Sequence, residues 1–251
     1  MNPLKVALAE RRRQLGLWQA LANPYTAEIC ARAGYDWLLF DGEHAPNTVQ
    51  TLLQQLQAVS AFPVEPVARP PIGDAVVIKQ YLDIGFRSLL IPMVESAAQA
   101  AHLVAATRFP PEGLRGVASA TSRASGFGAN RDYLRTTHLD ICLIMQIESR
   151  KGLDAIEEIA AVEGVDALFI GPADLAGALG HLGEPGHHEV QQAIDGALQR
   201  IAAVGKASGI FALSPQDAQR RLADGVVFVS LGTDIGLLAS GARALRDVCS
   251  A

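Results

Sequence analysis

One stretch decides the fold of this chain: Asp36-Trp37-Leu38-Leu39-Phe40-Asp41-Gly42-Glu43-His44-Ala45-Pro46. Residues 36–40 suit a buried strand, and two carboxylates and a histidine stand where that strand ends. A helix-period segment begins directly afterwards and carries its apolar residues on one face. This order of strand, polar loop and helix is typical of α/β proteins whose functional groups collect at the carboxyl ends of the strands.

The same unit recurs along the whole chain. The predicted strands cover residues 15–18, 36–40, 63–68, 87–91, 141–147 and 165–170, part of 206–213, and 226–231. The predicted helices cover residues 24–33, 48–59, 74–83, 96–107, 130–138, 152–160, 188–204, 215–223 and 235–248. Eight strand–helix units in 251 residues predict one closed (β/α)8 TIM barrel over residues 1–251. The alternative is an open doubly wound sheet, which the lack of a Gly-x-Gly-x-x-Gly motif after the first strand disfavours.

Three local features carry further predictions. Pro66 lies inside the third predicted strand and predicts a bulge there. The segment from residue 108 to 128 is a long glycine- and serine-containing loop, and loops of this length are usually functional or disordered. Arg11-Arg12-Arg13 is interpreted as the solvated face of a helix near the N-terminus.

Composition and charge restrict the class of protein. The chain is 49% hydrophobic and 19% charged, and its net charge is −5, so neither disorder nor nucleic-acid binding is indicated. Its three cysteines have neither metal-ligand spacing nor the density of a disulfide framework. We expect a cytoplasmic protein without a signal peptide or a membrane-spanning segment.

Glu148 and Asp174 are the best candidates for metal ligands. They follow the fifth and sixth predicted strands, so a barrel brings both carboxylates within reach of one hard divalent cation. Each also has a structural interpretation, since Glu148 can favour a helix N-terminus and Asp174 can cap a short helix after Pro172. Their placement at neighbouring strand ends favours metal binding.

Arg69 and His44 offer complementary groups at other strand ends. Arg69 precedes two prolines, a position suited to binding an anion through two hydrogen bonds or to a structural ion pair. His44 by itself suits a satisfied, partly buried histidine, and Trp18 suits a pocket wall or the core. No lysine stands at a suitable strand end, which disfavours imine chemistry. His181, His187 and His188 lack ligand spacing, and we expect them to be exposed to solvent.

A different short motif lies at each of several strand ends: Gly16-Leu17-Trp18, Asp41-Gly42-Glu43-His44-Ala45-Pro46-Asn47, Ala68-Arg69-Pro70, Gln146-Ile147-Glu148, Gly171-Pro172-Ala173-Asp174-Leu175 and Gly232-Thr233-Asp234. Together they resemble the HpcH/HpaI aldolase family, of the 4-hydroxy-2-oxoheptanedioate aldolase type. The resemblance covers essentially the whole chain. It implies a class II pyruvate aldolase, which reversibly joins pyruvate or a related 2-oxo acid to an aldehyde through a metal-stabilised enolate.

The resemblance also implies roles for individual residues. Glu148 and Asp174 would bind Mg²⁺, Mn²⁺ or Co²⁺, while Gln146, Asp174 and the backbone of Ala173 would contact the 2-oxo acid. Arg69 would stabilise the enolate. His44 would act as the base, with Asp83 raising its basicity. Asp41 would organise the water network, and Trp18 and Phe211 would line the substrate site.

The sequence departs from the family pattern at two places. Ala176 and Ala178 stand where the family has serines, and Phe211 stands where a smaller apolar residue is expected on the aldehyde side. The resemblance implies a homo-trimer or homo-hexamer in which a neighbour completes each active site and the last helix is exchanged. Small molecules are the expected partners, without nucleic acid or membrane. The alternatives are another metal-enolate lyase, such as a 2-keto-3-deoxy sugar acid aldolase or a thioester lyase, and a catalytically silent barrel.

Overall fold

Eight parallel strands close into a barrel in chain order, and the last strand pairs with the first. The computed structural model describes residues 1–250. The strands are β1 Gln14–Gln19, β2 Trp37–Asp41, β3 Glu65–Arg69, β4 Ser88–Ile91, β5 Cys142–Ile147, β6 Ala167–Ile170, β7 Ala207–Phe211 and β8 Phe228–Thr233. The predicted (β/α)8 barrel is confirmed, because an open sheet would leave two strand edges unpaired.

Helices follow every strand of this barrel. They are α1 Pro3–Ala9, α2 Pro24–Ala31, α3 Val49–Val59, α4 Ala75–Asp83, α5 Ala97–Thr107, α6 Tyr133–Asp140, α7 Arg150–Asp154, α8 Ile156–Ala161, α9 Pro172–Ala178, α10 His188–Ala203, α11 Pro215–Ala223 and α12 Asp234–Ser250. Most ends lie within three residues of the predicted ones. Side-chain caps account for several of the starts, such as Thr48 on α3 and Asp74 on α4.

The N-terminal segment differs from its prediction. Helix α1 ends at Ala9, so the three arginines at residues 11–13 lie exposed in the turn before β1 and not on a helix. Asn2 accepts hydrogen bonds from the first turn of α1 and donates to Ser88 Oγ and to the carbonyl of Asp140. Leu4 and Leu8 are buried against the interior of the barrel. This helix therefore closes the end of the barrel where the strands begin.

The predicted bulge at Pro66 is wrong. β3 pairs with β2 through Pro66 without a change of register, and its pairing with β4 begins only at Val67. A residue without an N–H is tolerated there because the ladder to β4 has not yet started. A register shift occurs instead between β1 and β8, from Gly16 to Trp18.

Two other predicted segments are subdivided. The helix predicted over residues 152–160 is two short helices, α7 and α8, which meet at Ala155. The polar connection after β6 starts with a short helix, α9, whose first residue is Pro172. Proline suits the first position of a helix because its N–H would have no partner there.

The core has two layers. The outer layer lies between strands and helices, and the inner layer fills the barrel. In the inner layer Trp37 stacks on Phe228 with ring centroids 4.1 Å apart, and Phe169 meets Phe228 edge-on at 5.8 Å. Gly16 faces this stack, and a Cβ there would overlap the Trp37 indole. The packed interior leaves the carboxyl-end mouth as the place for polar groups.

Within residues 1–250, no helix combines the length and the apolar character needed to cross a bilayer.

Candidate active site

The carboxyl ends of the strands bring the predicted polar residues together at the barrel mouth. Asp41 and Arg69 are the last residues of β2 and β3 and are register partners. Glu148 follows β5 directly, and Asp174 lies in the first turn of α9, just after β6. These residues line one cavity of 380 Å³. The other lining residues are Trp18, Ala20, His44, Gln146, Phe169, Gly171, Pro172, Ala173, Phe211, Leu213 and Thr233.

Arg69 is held in this mouth by two carboxylates and an aromatic ring. Its Nε and Nη2 donate to Asp41 Oδ1 and Oδ2 at 2.9 and 2.8 Å, and its Nη1 lies 2.9 Å from Glu43 Oε2. The guanidinium also lies 4.2 Å from the centre of the Trp18 ring. Bidentate pairing fixes the plane of the guanidinium, and the aromatic face fixes its position within the mouth. Arg69 is therefore a preorganised positive charge and only 5% exposed.

Asp41 shapes the loop that follows β2. Its Oδ1 accepts from the backbone N–H of Glu43 at 3.0 Å and of His44 at 3.4 Å, and its own carbonyl accepts from Asn47 Nδ2 at 2.7 Å. The intervening Gly42 donates to the carbonyl of Arg69, and a Cβ there would overlap the Tyr81 hydroxyl. The Asp-Gly-Glu-His sequence is thus a tight turn built around one carboxylate.

Glu148 is buried but not isolated. Its Oε1 accepts from the backbone N–H of Met93 at 2.9 Å, and its Oε2 accepts from Gln146 Nε2 at 2.5 Å. Burial is the main cause that raises the pKa of Glu148, and the charges of Asp174 and Glu43 raise it further. Gly171 makes room for this carboxylate, since a Cβ there would overlap Glu148 Oε2.

The pKa of Glu43 is raised in the same way as that of Glu148. Burial raises its pKa, Arg69 and His44 act in the opposite direction, and Asp41 and Asp174 add to the rise. Carboxylates therefore outnumber the single guanidinium in the mouth, and they repel one another. A hard divalent cation bound through oxygen ligands would relieve this repulsion, so the donor set of Glu148 and Asp174 fits such an ion.

Three buried polar atoms at the mouth have no hydrogen-bond partner among the described residues. One is Glu43 Oε2, which has only the ion pair with Arg69. The other two are Gln146 Oε1 and Trp18 Nε1, one acceptor and one donor. A buried polar atom without a hydrogen bond is costly, so such atoms in a cavity are suited to meet a ligand or water. The structure thus brings Gln146 and Trp18 to the predicted substrate cavity with unused hydrogen-bonding capacity.

Three aromatic side chains form one wall of the cavity. Trp18 meets Phe211 edge-on at 5.4 Å and Phe169 at 6.3 Å. Phe169 was missed in the sequence because its alternating position in a continuous apolar strand is indistinguishable from any core phenylalanine. Charged and aromatic side chains thus line the same cavity, and they meet where Trp18 lies against the Arg69 guanidinium.

His44 and Asp83 do not meet within the chain. The His44 side chain is 65% exposed at the mouth, where its Nε2 lies 3.9 Å from Glu43 Oε1. Asp83 is the last residue of α4, a helix that runs away from the mouth, and its Oδ1 accepts from Arg115 Nη2 at 2.7 Å. Asp83 therefore lies toward the opposite end of the barrel from His44.

The acidic residue after β8 is structural. Asp234 is buried, and its two oxygens accept from the backbone N–H groups of Ala20 and Leu21 at 2.8 and 3.2 Å. These hydrogen bonds tie the end of β1 to the start of α12. Asp234 therefore supports the position of Trp18 and does not line the cavity.

The chain matches a family model described as HpcH/HpaI aldolase/citrate lyase over residues 14–241. It is 58% identical over 244 residues to the hydroxypyruvate/pyruvate aldolase of Deinococcus radiodurans, covering 97% of this chain and 88% of that protein. It is 51% identical over 244 residues to the 4-hydroxy-2-oxo-heptane-1,7-dioate aldolase of Salmonella dublin, covering 97% of this chain and 93% of that protein.

A solved structure gives the same picture. The crystal structure of an HpcH/HpaI aldolase/citrate lyase family protein from Burkholderia cenocepacia J2315 superposes with a TM-score of 0.94 and 42% identity. The superposition covers 99% of each chain. The whole barrel, including the mouth, is therefore similar to that of a solved family member.

Proposed function

This chain belongs to the HpcH/HpaI aldolase/citrate lyase family and is a carbon–carbon lyase, and from that premise we propose that it reversibly joins pyruvate or a related 2-oxo acid to an aldehyde. The observation that carries the proposal is that one small cavity contains both the guanidinium of Arg69, fixed by Asp41, and the carboxylates of Glu148 and Asp174. This arrangement can stabilise the negative charge that develops when a proton is removed next to a carbonyl group. The finer steps below are part of the same proposal.

Glu148 and Asp174 would hold a divalent cation, with Mg²⁺, Mn²⁺ or Co²⁺ as the candidates. A bound cation of this kind supplies Lewis-acid stabilisation of negative charge on a nearby oxygen. The hydrogen bonds from Met93 and Gln146 orient the Glu148 carboxylate and leave it fixed before any ion binds. The mutual repulsion of the mouth carboxylates supports this assignment.

Arg69 would stabilise the enolate and the alkoxide formed in the condensation. Asp41 and Glu43 already occupy its Nε, Nη1 and Nη2 on one side. The remaining N–H directions of the fork are available to a substrate oxygen, because a guanidinium carries five N–H donors. Trp18 beneath the guanidinium keeps it from turning away from that oxygen.

His44 would accept the proton, directly or through water. Its exposed position at the rim suits exchange with solvent, and a histidine can take and return a proton near neutral pH. Asp83 can assist only as a residue of another copy, since within one chain it pairs with Arg115. We therefore propose that the assistance of Asp83 requires the homo-oligomer that the sequence resemblance implies.

Gln146 and the backbone of Ala173 would bind the 2-oxo acid, and the aromatic wall would take the aldehyde. Arg69 is the only arginine or lysine among the described residues that line the cavity, and two carboxylates already bind it. A second carboxylate on the aldehyde would thus find no free cation there. This favours a small uncharged aldehyde over an anionic semialdehyde, with Phe211 limiting its size.

The test is hydrogen exchange of the pyruvate methyl group in deuterated water, followed by proton NMR. We expect exchange that requires a divalent cation, disappears with chelator and is abolished in Arg69→Ala. Arg87→Ala is the matched control, because Arg87 is an arginine that pairs with Glu65 at the start of β4, away from the mouth. It should exchange at the wild-type rate.

Other outcomes would reject the proposal. Exchange that survives chelation, together with an adduct trapped by borohydride, would indicate an imine on a lysine. Absence of exchange with every metal would favour a different substrate or a silent barrel. A panel of neutral and anionic aldehydes, assayed in the condensation direction, then tests the preference for uncharged acceptors. Direct assay of the cleavage of a 2-keto-3-deoxy sugar acid tests that alternative separately.

A further inference from the structure

A histidine cluster lies outside the mouth, in the segment that joins α9 to α10. His181 and His187 stack with ring centroids 3.7 Å apart and an interplanar angle of 17°. The His181 side chain is only 20% exposed, so the predicted solvent exposure is wrong for this residue. His188 is exposed and tilts against His187 at 4.6 Å. The cluster does not belong to the cavity described above.

Backbone turns bring the cluster together. The N–H of Glu184 donates to the carbonyl of His181, and the N–H of His187 donates to the carbonyl of Glu184, each at 2.9 Å. These two consecutive turns reverse the chain twice and bring the side chains of positions 181, 184 and 187 close together. Gly183 adopts a positive φ of 81° between the first two positions. One ligand atom from each of the three side chains lies within 4.8 Å of the others.

We propose that His181, Glu184 and His187 form a second metal site, which takes a borderline divalent cation such as Zn²⁺. Two imidazoles and one carboxylate are a donor set that zinc uses with a fourth position left for water. Imidazole nitrogen suits Zn²⁺, Ni²⁺ and Cu²⁺ better than it suits Mg²⁺. The mouth, with its oxygen ligands, has the opposite preference. The proposal is independent of the aldolase activity.

Glu189 supplies the supporting contact that such a site needs. His181 Nε2 lies 2.7 Å from Glu189 Oε2, within hydrogen-bond distance. A carboxylate at Nε2 holds the proton on that nitrogen and leaves Nδ1 of His181 available to a metal. His187 Nδ1 accepts a long hydrogen bond of 3.4 Å from the N–H of Glu189.

Metal binding requires the two stacked imidazole rings to turn. Ligand atoms on a tetrahedral ion with bonds of about 2.1 Å lie about 3.4 Å apart. The three ligand atoms are already within 4.8 Å of one another, but the His181 and His187 rings are nearly parallel, so their side chains must rotate before both nitrogens point at one ion. A bound ion would join two turns and the start of α10, and so would stabilise the segment that follows the helix carrying Asp174.

The test uses a chromophoric chelator that competes for Zn²⁺ with the full-length protein after removal of metals. Asp174→Asn disables the mouth site and isolates the second one. We expect this variant to bind one equivalent of Zn²⁺. Adding His181→Gln, His187→Gln or Glu184→Gln should weaken that binding at least tenfold. Glu189→Gln should weaken it about 10- to 100-fold, as for other partners of metal-bound histidines.

His102→Gln is the matched control, because His102 is an exposed histidine on α5. Its Zn²⁺ affinity should equal that of the Asp174→Asn parent. Melting temperatures in chelator should be the same for all variants, and only those with an intact cluster should melt higher with Zn²⁺. Glu184 is exposed, so Glu184→Gln keeps the test valid if a histidine variant folds poorly. Absence of Zn²⁺ binding in the parent, or equal affinity in Glu184→Gln, overturns the proposal.

Discussion

Replacing Arg69 by lysine should reduce both stability and catalysis although it keeps the positive charge. Arg69 makes two hydrogen bonds with Asp41 and an ion pair with Glu43, whose Oε2 lies 2.9 Å from Nη1. A lysine ammonium at the same place can reach about one of these acceptors, because it lacks the planar fork. Two charge-assisted contacts are then lost, and a hydrogen bond to a charged group is worth about 1.5–3 kcal/mol. The lysine keeps the positive charge and water can enter the space that is left, so we expect the free energy of unfolding to fall by about 3 kcal/mol in all.

The kinetic effect follows from the same geometry. A fixed donor aimed at a developing oxyanion is worth about 10²- to 10³-fold in rate. Lysine also loses the stacking of the guanidinium on Trp18, which lies 4.2 Å away. We therefore expect kcat to fall about 10²- to 10³-fold at saturating metal. Urea denaturation measures the stability change, and steady-state cleavage of a pyruvate aldol measures kcat.

Arg87→Lys is the matched control. The Arg87 side chain is 44% exposed and pairs with Glu65 at 3.0 Å, so its replacement should cost less than about 1 kcal/mol and leave kcat unchanged. A double-mutant cycle with Asp41→Asn should give a coupling energy of about 1–3 kcal/mol for the Asp41–Arg69 pair. Wild-type kcat in Arg69→Lys, or a stability equal to that of Arg87→Lys, would refute the reasoning.

Further predictions concern the core, the buried carboxylate and the last helix. Gly16→Ala should lower the free energy of unfolding by about 1–3 kcal/mol in urea titrations, since its Cβ overlaps the Trp37 indole. Burial raises the pKa of Glu148 above its ordinary value of 4.5, so the folded apo protein binds the proton more tightly than the unfolded chain. The stability contributed by this group is therefore greatest at low pH and is lost as the pH rises from 4.5 through the folded pKa. Glu148→Gln should remove that dependence in chelator-treated protein. Leu237 and Leu238 on α12 are 57% and 62% exposed, and we propose that α12 is exchanged between copies. If copies associate in this way, Leu237→Glu should lower the mass measured by light scattering relative to the unmodified protein, whereas Val204→Glu, at the end of α10, should not.

The barrel could be predicted from the sequence because its signal is repeated. Apolar runs of strand length alternate with helical periods, and each repetition constrains the same architecture. Helix α1 was missed although Asn2 and Pro3 are a good start signal and Leu4, Ala7 and Leu8 share one face. The sequence predicts a helix at the basic triplet, residues 11–13, whereas the helix lies before it at Pro3–Ala9.

Most of the polar residues of the mouth could be predicted, but Phe169 and the contacts within the mouth could not. Strand ends identify which residues approach one another, whereas the Asp41–Arg69 pair depends on the register of β2 and β3. The histidine cluster could not be predicted from the sequence for a similar reason. No two of its histidines are four residues apart, and the spacing of three between His181, Glu184 and His187 becomes meaningful only when the hydrogen bonds of two successive turns are known.

The opening stretch at residues 36–46 acquires a different role once its hydrogen bonds are known. Asp41 Oδ1 accepts from Arg69 and from two backbone N–H groups of its own loop, while Oδ2 accepts from Arg69. These bonds use most of the acceptor capacity of that carboxylate, so its first task is to hold the guanidinium and the turn. Glu43 forms a second ion pair with Arg69 and is half-buried, close enough to Asp174 for the two charges to interact. Asp41→Asn should therefore loosen the position of the Arg69 guanidinium as well as disturb any water network. The amide has only one oxygen, so it cannot accept from both Nε and Nη2 of Arg69. Conversely, His44 is attached to this turn by its backbone alone, which leaves its side chain free at the rim for proton transfer.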